Sequence, residues 1–387
     1  MKIIPLLSKA IICISLFCIS NLTYAQATYS VKKVSQNVYI FTELWEGANN
    51  GNMGVVIGDK DVMLINSMMM NSAPSLEKEI QKITNKPIKY VVNSDSDPYN
   101  HHANKYFADR GAVIYSHENI KYSPAYYDIL FSDRISISMG DEVVVAYHTP
   151  AHTLDHVDVY LEKSNVLFMS DGFKSHWLTP AGPHGLDGLL SGIDQALSLS
   201  DENTIIVSGN TSKNPEHFLS NKKDLIRMRE IHSNFVARVH ELNQAGLSVE
   251  SIETDKELNG IVEDLEAYPK FRQYLKYRII ETLEEDFANS HRLSEEERMT
   301  YPGVYDLNDT RFIEIIIKND KLFAREKSAF YFELIPYSKT KFGLKGATNN
   351  YLTFQFSPNG KVVSLTPLLE KNGWWSNILK AEKHLKR

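Results

Sequence analysis

Residues 93–104 read NSDSDPYNHHAN and follow directly on the apolar run KYVV. The stretch places two carboxylates at i and i+2 (Asp95 and Asp97), then Tyr99 and Asn100, then the adjacent His101 and His102. Carboxylates and imidazoles crowded at a strand end can ligate a metal or transfer protons. The residue types alone leave three readings: a metal site, the remnant of one, or a polar loop rich in histidine. Three later apolar runs end in the same way, HTPAHT with His152, SDGF with Asp171 and SGN with Asn210.

These groups need a scaffold, and the chain is long enough for two or three domains at 387 residues. Its composition is that of a globular protein, 43% hydrophobic and 23% charged, with 20 tyrosines and 17 phenylalanines to fill cores. A formal charge of −6 and the lack of a basic run argue against nucleic-acid or anionic-membrane binding. The N-terminus carries Lys2 and Lys9, then IICISLFCIS, then Thr23 and Ala25 at the −3 and −1 positions before Gln26. That pattern predicts a secretory signal over 1–25, hence a periplasmic or secreted protein with no membrane span after cleavage. Both cysteines, Cys13 and Cys18, lie inside it. The mature chain would have no disulfide and no thiolate ligand or nucleophile.

Short strand patterns alternate with polar loops through the first half: VKKVSQNVYIFTEL, GNMGVVIGDKDVMLINS, IKYVVNS, AVIYSHENI, DEVVVAYHT, VDVYLEKSNVLFMSD and TIIVSGN. A short helix is expected over 75–85, and the mixture predicts a layered α/β domain over 28–215. Helical spacing then takes over, in HFLSNKKDLIRMREIHSNFVARVHELNQAG with Gly246 as its stop and in KFRQYLKYRIIETLEEDFANS. The helical connection is assigned to 216–298. From YPGVYDL onward, short strands and turns such as PNG predict a small antiparallel β-domain over 300–387.

The order of these strand ends resembles the metallo-β-lactamase superfamily, an αββα sandwich of two mixed sheets. Its members carry H-x-H-x-D-H after a strand, then His-Thr, Gly-Asp and Gly-His at later strand ends. Here YVVNSDSDPYNHHANKYF stands at the motif, AHT and SDG at the next two landmarks, and SGN at the last. The likeness spans about residues 30–215. The departures are extensive: the first two motif histidines are Asp95 and Asp97, the motif Asp is Tyr99, and its last His is Asn100. His152 and Asp171 are kept, and the final His is Asn210. The terminal β-domain resembles the small lipocalin-like modules that follow some secreted hydrolase domains.

By this resemblance, a first metal site would consist of Asp95, Asp97 and His152 with Asp171 adjacent. Carboxylates and one imidazole suit a divalent ion such as Zn²⁺, Mn²⁺, Fe²⁺ or Ca²⁺. Tyr99, Asn100 and Asn210 would form the second site, and a phenol and neutral amides are poor ligands. The expectation is at most one metal, with Asp97 or Asp171 as base, and Tyr99, Asn100, His117 and Asn210 facing a small-molecule substrate. The reaction implied is hydrolysis of an ester, amide, lactone or related bond. Two other readings stay open: a metal-free pocket doing acid–base work, and an inactive binding or accessory protein. A homodimer is also left open.

Overall fold

The computed structural model describes residues 28–45, 48–122, 125–209, 218–265, 271–307, 311–326, 331–346, 350–369 and 381–383. The expected signal at 1–25 and Asn210 lie outside them.

Seven strands, Thr28–Lys33, Val38–Trp45, Ala48–Ile57, Val62–Ile65, Ile88–Val92, Val113–His117 and Ile129–Phe131 (β1–β7), form one sheet in chain order. Its first pairings are antiparallel, and β4 through β7 run parallel. The second sheet holds Arg134–Ser138, Val143–His148, Val157–Leu161, Val166–Ser170, Ile205–Ser208 and Leu219–Ser220 (β8–β13), in the order β13-β12-β11-β10-β9-β8. Within it β11 and β12 are parallel and the other pairs antiparallel.

Alternation along the strands explains why the two sheets stack. Met63 and Ile65 on β4, Val92 on β5, and Val166 and Phe168 on β11 point into the space between the sheets. Their neighbours Leu64 and Val91 face outward onto helices Ala73–Gln81 (α1) and Asn104–Ala108 (α3) through Leu76, Ile80 and Phe107. Leu167 faces the opposite outer layer, made by Gly185–Leu199 (α4), Lys222–Gln244 (α5) and Phe271–Thr282 (α8). The result is the expected αββα sandwich. Phe168 is buried between the sheets, so Phe168→Ala is expected to cost about 3–5 kcal/mol by urea unfolding.

Helix α4 begins at Gly185, directly after the segment that follows Asp171. Leu189, Ile193 and Ala196 of that helix bury at helical spacing against the second sheet, which the interspersed Gly and Ser residues obscure in sequence.

Beyond the sandwich, Gly303–Asp306, Phe312–Lys318, Lys321–Glu326, Phe332–Pro336, Lys341–Leu344, Asn350–Phe356, Val362–Leu369 and Ala381–Lys383 (β14–β21) close into a barrel. Tyr301, Tyr305, Phe342 and Phe354 stack edge-to-face in its core. The barrel touches the sandwich through a close backbone approach. A Cβ on Gly346 would overlap the backbone of Gly182, and one on Gly182 would overlap the carbonyl of His152. Both glycines have positive φ (73° and 70°), so side chains are disfavoured there twice over. Among the described residues, no helix is long and apolar enough to cross a membrane.

Candidate active site

The site lies where strands of both sheets end. β5 leads into Asn93, Ser94 and Asp95, the short helix Pro98–His101 (α2) carries Tyr99 and Asn100, the β9–β10 loop carries His152, and Asp171 follows directly on β11. Cross-sheet bonds fix these ends: Val157 N donates to Ser94 O at 2.6 Å, and Ser94 Oγ lies 2.9 Å from Ser170 Oγ. Asn66 at the end of β4 accepts from Ser94 N at 2.8 Å. His152 itself sits at φ 48°, a conformation few non-glycine residues adopt, and one often found at functional sites.

Donor atoms of Asp95, His152 and Asp171 all fall within 4.8 Å of one another. The surroundings are tightly bonded. Asp95 Oδ1 accepts from Asn100 Nδ2 at 2.6 Å and from Asp97 N at 2.9 Å, while Oδ2 accepts from Ser94 Oγ at 2.9 Å. His156 Nδ1 stands 3.7 Å from Asp95 Oδ2 and has no hydrogen bond, and its Nε2 is 3.2 Å from Asp158 Oδ1. On Asp171, Oδ1 is ion-paired with the Lys174 ammonium and Oδ2 is in contact with the Tyr99 hydroxyl. That hydroxyl also lies 2.8 Å from Asp97 Oδ2, which is 3.0 Å from His152 Nε2.

These contacts set the electrostatics. Burial alone would raise Asp171, but Lys174 and His152 hold its carboxyl below the usual carboxylate range. Burial likewise opposes ionisation of Asp95, yet His156 and His152 keep it ionised far into acid. For Tyr99, burial and then the Asp171 and Asp97 charges push the phenol well above its ordinary value, so it stays a hydrogen-bond donor. Burial and the nearby Asp95 charge push Asp155 up to about 7.

The donor set fits one divalent cation. Two carboxylates and an imidazole are a common ligand combination. Each carboxylate oxygen can accept twice, and the two Asp171 oxygens are engaged by one group each, Lys174 on Oδ1 and Tyr99 on Oδ2.

The sequence-predicted residues divide by position. Asp95, His152, Asp171, Asp97, Tyr99 and Asn100 all meet here. Asp97, expected as a ligand, stands beside the convergent trio, with its Oδ2 2.8 Å from the Tyr99 hydroxyl and 3.0 Å from His152 Nε2. Asn100, expected to face substrate, is buried and spends its amide on Asp95. His117 is also buried, stacked on His148 at 3.9 Å and 6° between planes. Asn210 lies outside the described residues. Sequence reading missed Lys174, His156 and Asp158. The run TLDHVD and the i, i+3 spacing of Asp171 and Lys174 carried the only signal for them.

No family model matches the chain, and no curated protein matches it in sequence. Among solved structures, a metallo-β-lactamase from Pontibacter korlensis aligns at 16% identity and TM-score 0.47, over 54% of this chain and 100% of that one. The DIM-1 metallo-β-lactamase aligns at 18% identity and TM-score 0.44, over 54% and 99%. A double mutant of the sec-alkyl sulfatase PisA1 aligns at 15% identity and TM-score 0.50, over 70% of this chain and 54% of that one. At these identities the likeness is one of fold, the two-sheet sandwich described above. The chain is a divergent protein of the metallo-β-lactamase fold.

Proposed function

We propose that the protein is an exported hydrolase of a small ester, amide, lactone or related substrate, working with one divalent cation on Asp95, His152 and Asp171. The observation that carries this reading is the convergence of those three donors within 4.8 Å at the strand ends. A divalent cation held there would polarise the oxygen of the scissile group and make water a better nucleophile at neutral pH. Zn²⁺, Mn²⁺ and Fe²⁺ all suit the set.

The chain's own residues supply the rest. The Asp95 side chain is fully buried and Asp171 is 5% exposed, whereas Asp97 is 30% exposed. Asp97 is therefore the carboxylate that can meet a water from the open side and take its proton. His152 and Tyr99 hold its Oδ2 in place. Asn100 and Ser94 fix Asp95, so the trio keeps its geometry without substrate. A sulfate ester joins the substrate classes to be tried, because the aligned alkyl sulfatase shares the fold.

The test is turnover of a panel of esters, amides, lactones and alkyl sulfates by the cation-loaded protein and by Asp97→Asn. The proposal expects hydrolysis of at least one class, reduced about 10²–10⁴-fold in the variant. No turnover of any class with cation bound would refute it.

A second reading, a binding or accessory protein without catalysis, is supported by the Lys174 ion pair, which already neutralises Asp171 without a metal.

A further inference from the structure

We infer that Lys174 is a built-in cation on Asp171 that weakens the hold of that carboxylate on a divalent ion and, with Tyr99 and Asn100 at the other motif positions, keeps the site to one ion. This rests on the one-metal reading above. The two oxygens of Asp171 are engaged from different sides, Oδ1 by the Lys174 ammonium and Oδ2 by the Tyr99 hydroxyl. Tyr99 and Asn100 hold the motif positions that would ligate a second ion, and the amide of Asn100 is spent on Asp95. The hydroxyl of Tyr99 is engaged by Asp171 and Asp97.

The lysine is not a surface group that happens to reach a carboxylate. Its side chain is 6% exposed and that of Asp171 is 5% exposed. A buried ammonium persists only with an anionic partner, and a buried carboxylate only with a cation. The loop that carries the lysine is itself fixed, since Lys174 N donates to Thr179 Oγ1 at 3.0 Å. The fold thus spends a positive side chain on one of the three groups that converge at the site. A fixed positive charge beside Asp171 repels any divalent cation approaching that residue. It does so most strongly where water is excluded.

The consequence is measurable as metal affinity, independent of any activity. Zn²⁺ and Mn²⁺ are titrated calorimetrically into the full chain, into Lys174→Met and into Lys174→Arg, with circular dichroism confirming folding. Lys174→Gln, which keeps a donor toward Asp171, replaces the Met variant should that one not fold. The inference expects Lys174→Met to bind at least about tenfold more tightly than wild type, since a neighbouring positive charge is gone. Lys174→Arg should stay near wild type, and wild type should take up one ion.

A wild-type protein that binds no ion, beside a Lys174→Met that does, would uphold the role of Lys174 and sink the one-metal reading. Two ions on the wild type, or a Met variant that binds no more tightly than wild type, would overturn the role of Lys174.

Discussion

Replacing His156 by leucine is expected to destabilise the protein by about 3–5 kcal/mol, because it removes one partner from a buried charge cluster. The His156 ring is fully buried, with Asp158 Oδ1 at 3.2 Å from Nε2 and Asp95 Oδ2 at 3.7 Å from Nδ1. Both carboxylates are themselves buried. Burial alone would push the imidazole down, but hydrogen bonding to Asp158 and the Asp158 and Asp95 charges carry it up to about 10. Without the ring, Asp158 keeps its hydrogen bond from Thr149 Oγ1 at 2.9 Å. Asp95 keeps its hydrogen bonds but loses a neighbouring positive charge. Urea unfolding at pH 7 measures the loss. A cost below about 1 kcal/mol would mean that the two aspartates find other compensation, against the arrangement described here.

The second large effect lies at the junction of sandwich, helices and barrel. Glu281 on α8 accepts from Ala181 N at 3.0 Å and pairs with Arg278 at 2.8 Å. Glu284, at the start of Glu284–Ser290 (α9), accepts from Gly346 N at 3.3 Å. These two carboxylates therefore hold the backbone of the loop behind His152 and the barrel loop that presses on it. Burial, and then the charge of Glu281, push Glu284 up to about 8, with Gly346 N, Lys345 and Arg278 opposing.

The folded value lies above the ordinary value of 4.5, so the sign is fixed. Below pH about 4.5 both states hold the proton, and Glu284 costs nothing. As pH rises from there, the unfolded chain releases the proton first and stability falls. Above about 8 the full cost remains, on the order of a few kcal/mol. Glu284→Gln keeps the acceptor for Gly346 N and cannot ionise. Its melting temperature should match wild type near pH 5 and exceed it by several degrees at pH 9. Equal melting temperatures at pH 9 would remove Glu284 from this role.

The sandwich was legible because its strands carry a period of two and end in polar residues. KYVV and VLFM each send alternate side chains to opposite cores. Landmark order then gave Asp95, His152 and Asp171, which the fold brings together. What was not legible depends on long-range pairing. Nothing in SDGF-K shows that the lysine folds back onto Asp171, and nothing in TLDHVD shows that His156 sits between carboxylates of two strand ends. The contacts of Asp97 have the same origin: the backbone turns into α2 at Asp97 and directs its carboxylate to Tyr99 and His152.

The central claim is that Asp95, His152 and Asp171 hold one divalent cation. It is tested most directly by elemental analysis of the protein purified without chelator, beside an Asp95→Ala/His152→Ala double variant confirmed as folded. The account predicts about one equivalent of Zn, Mn or Fe in the wild type and none in the double variant. A wild-type protein free of metal, with a melting temperature unmoved by added Zn²⁺, Mn²⁺ or Fe²⁺, would contradict it.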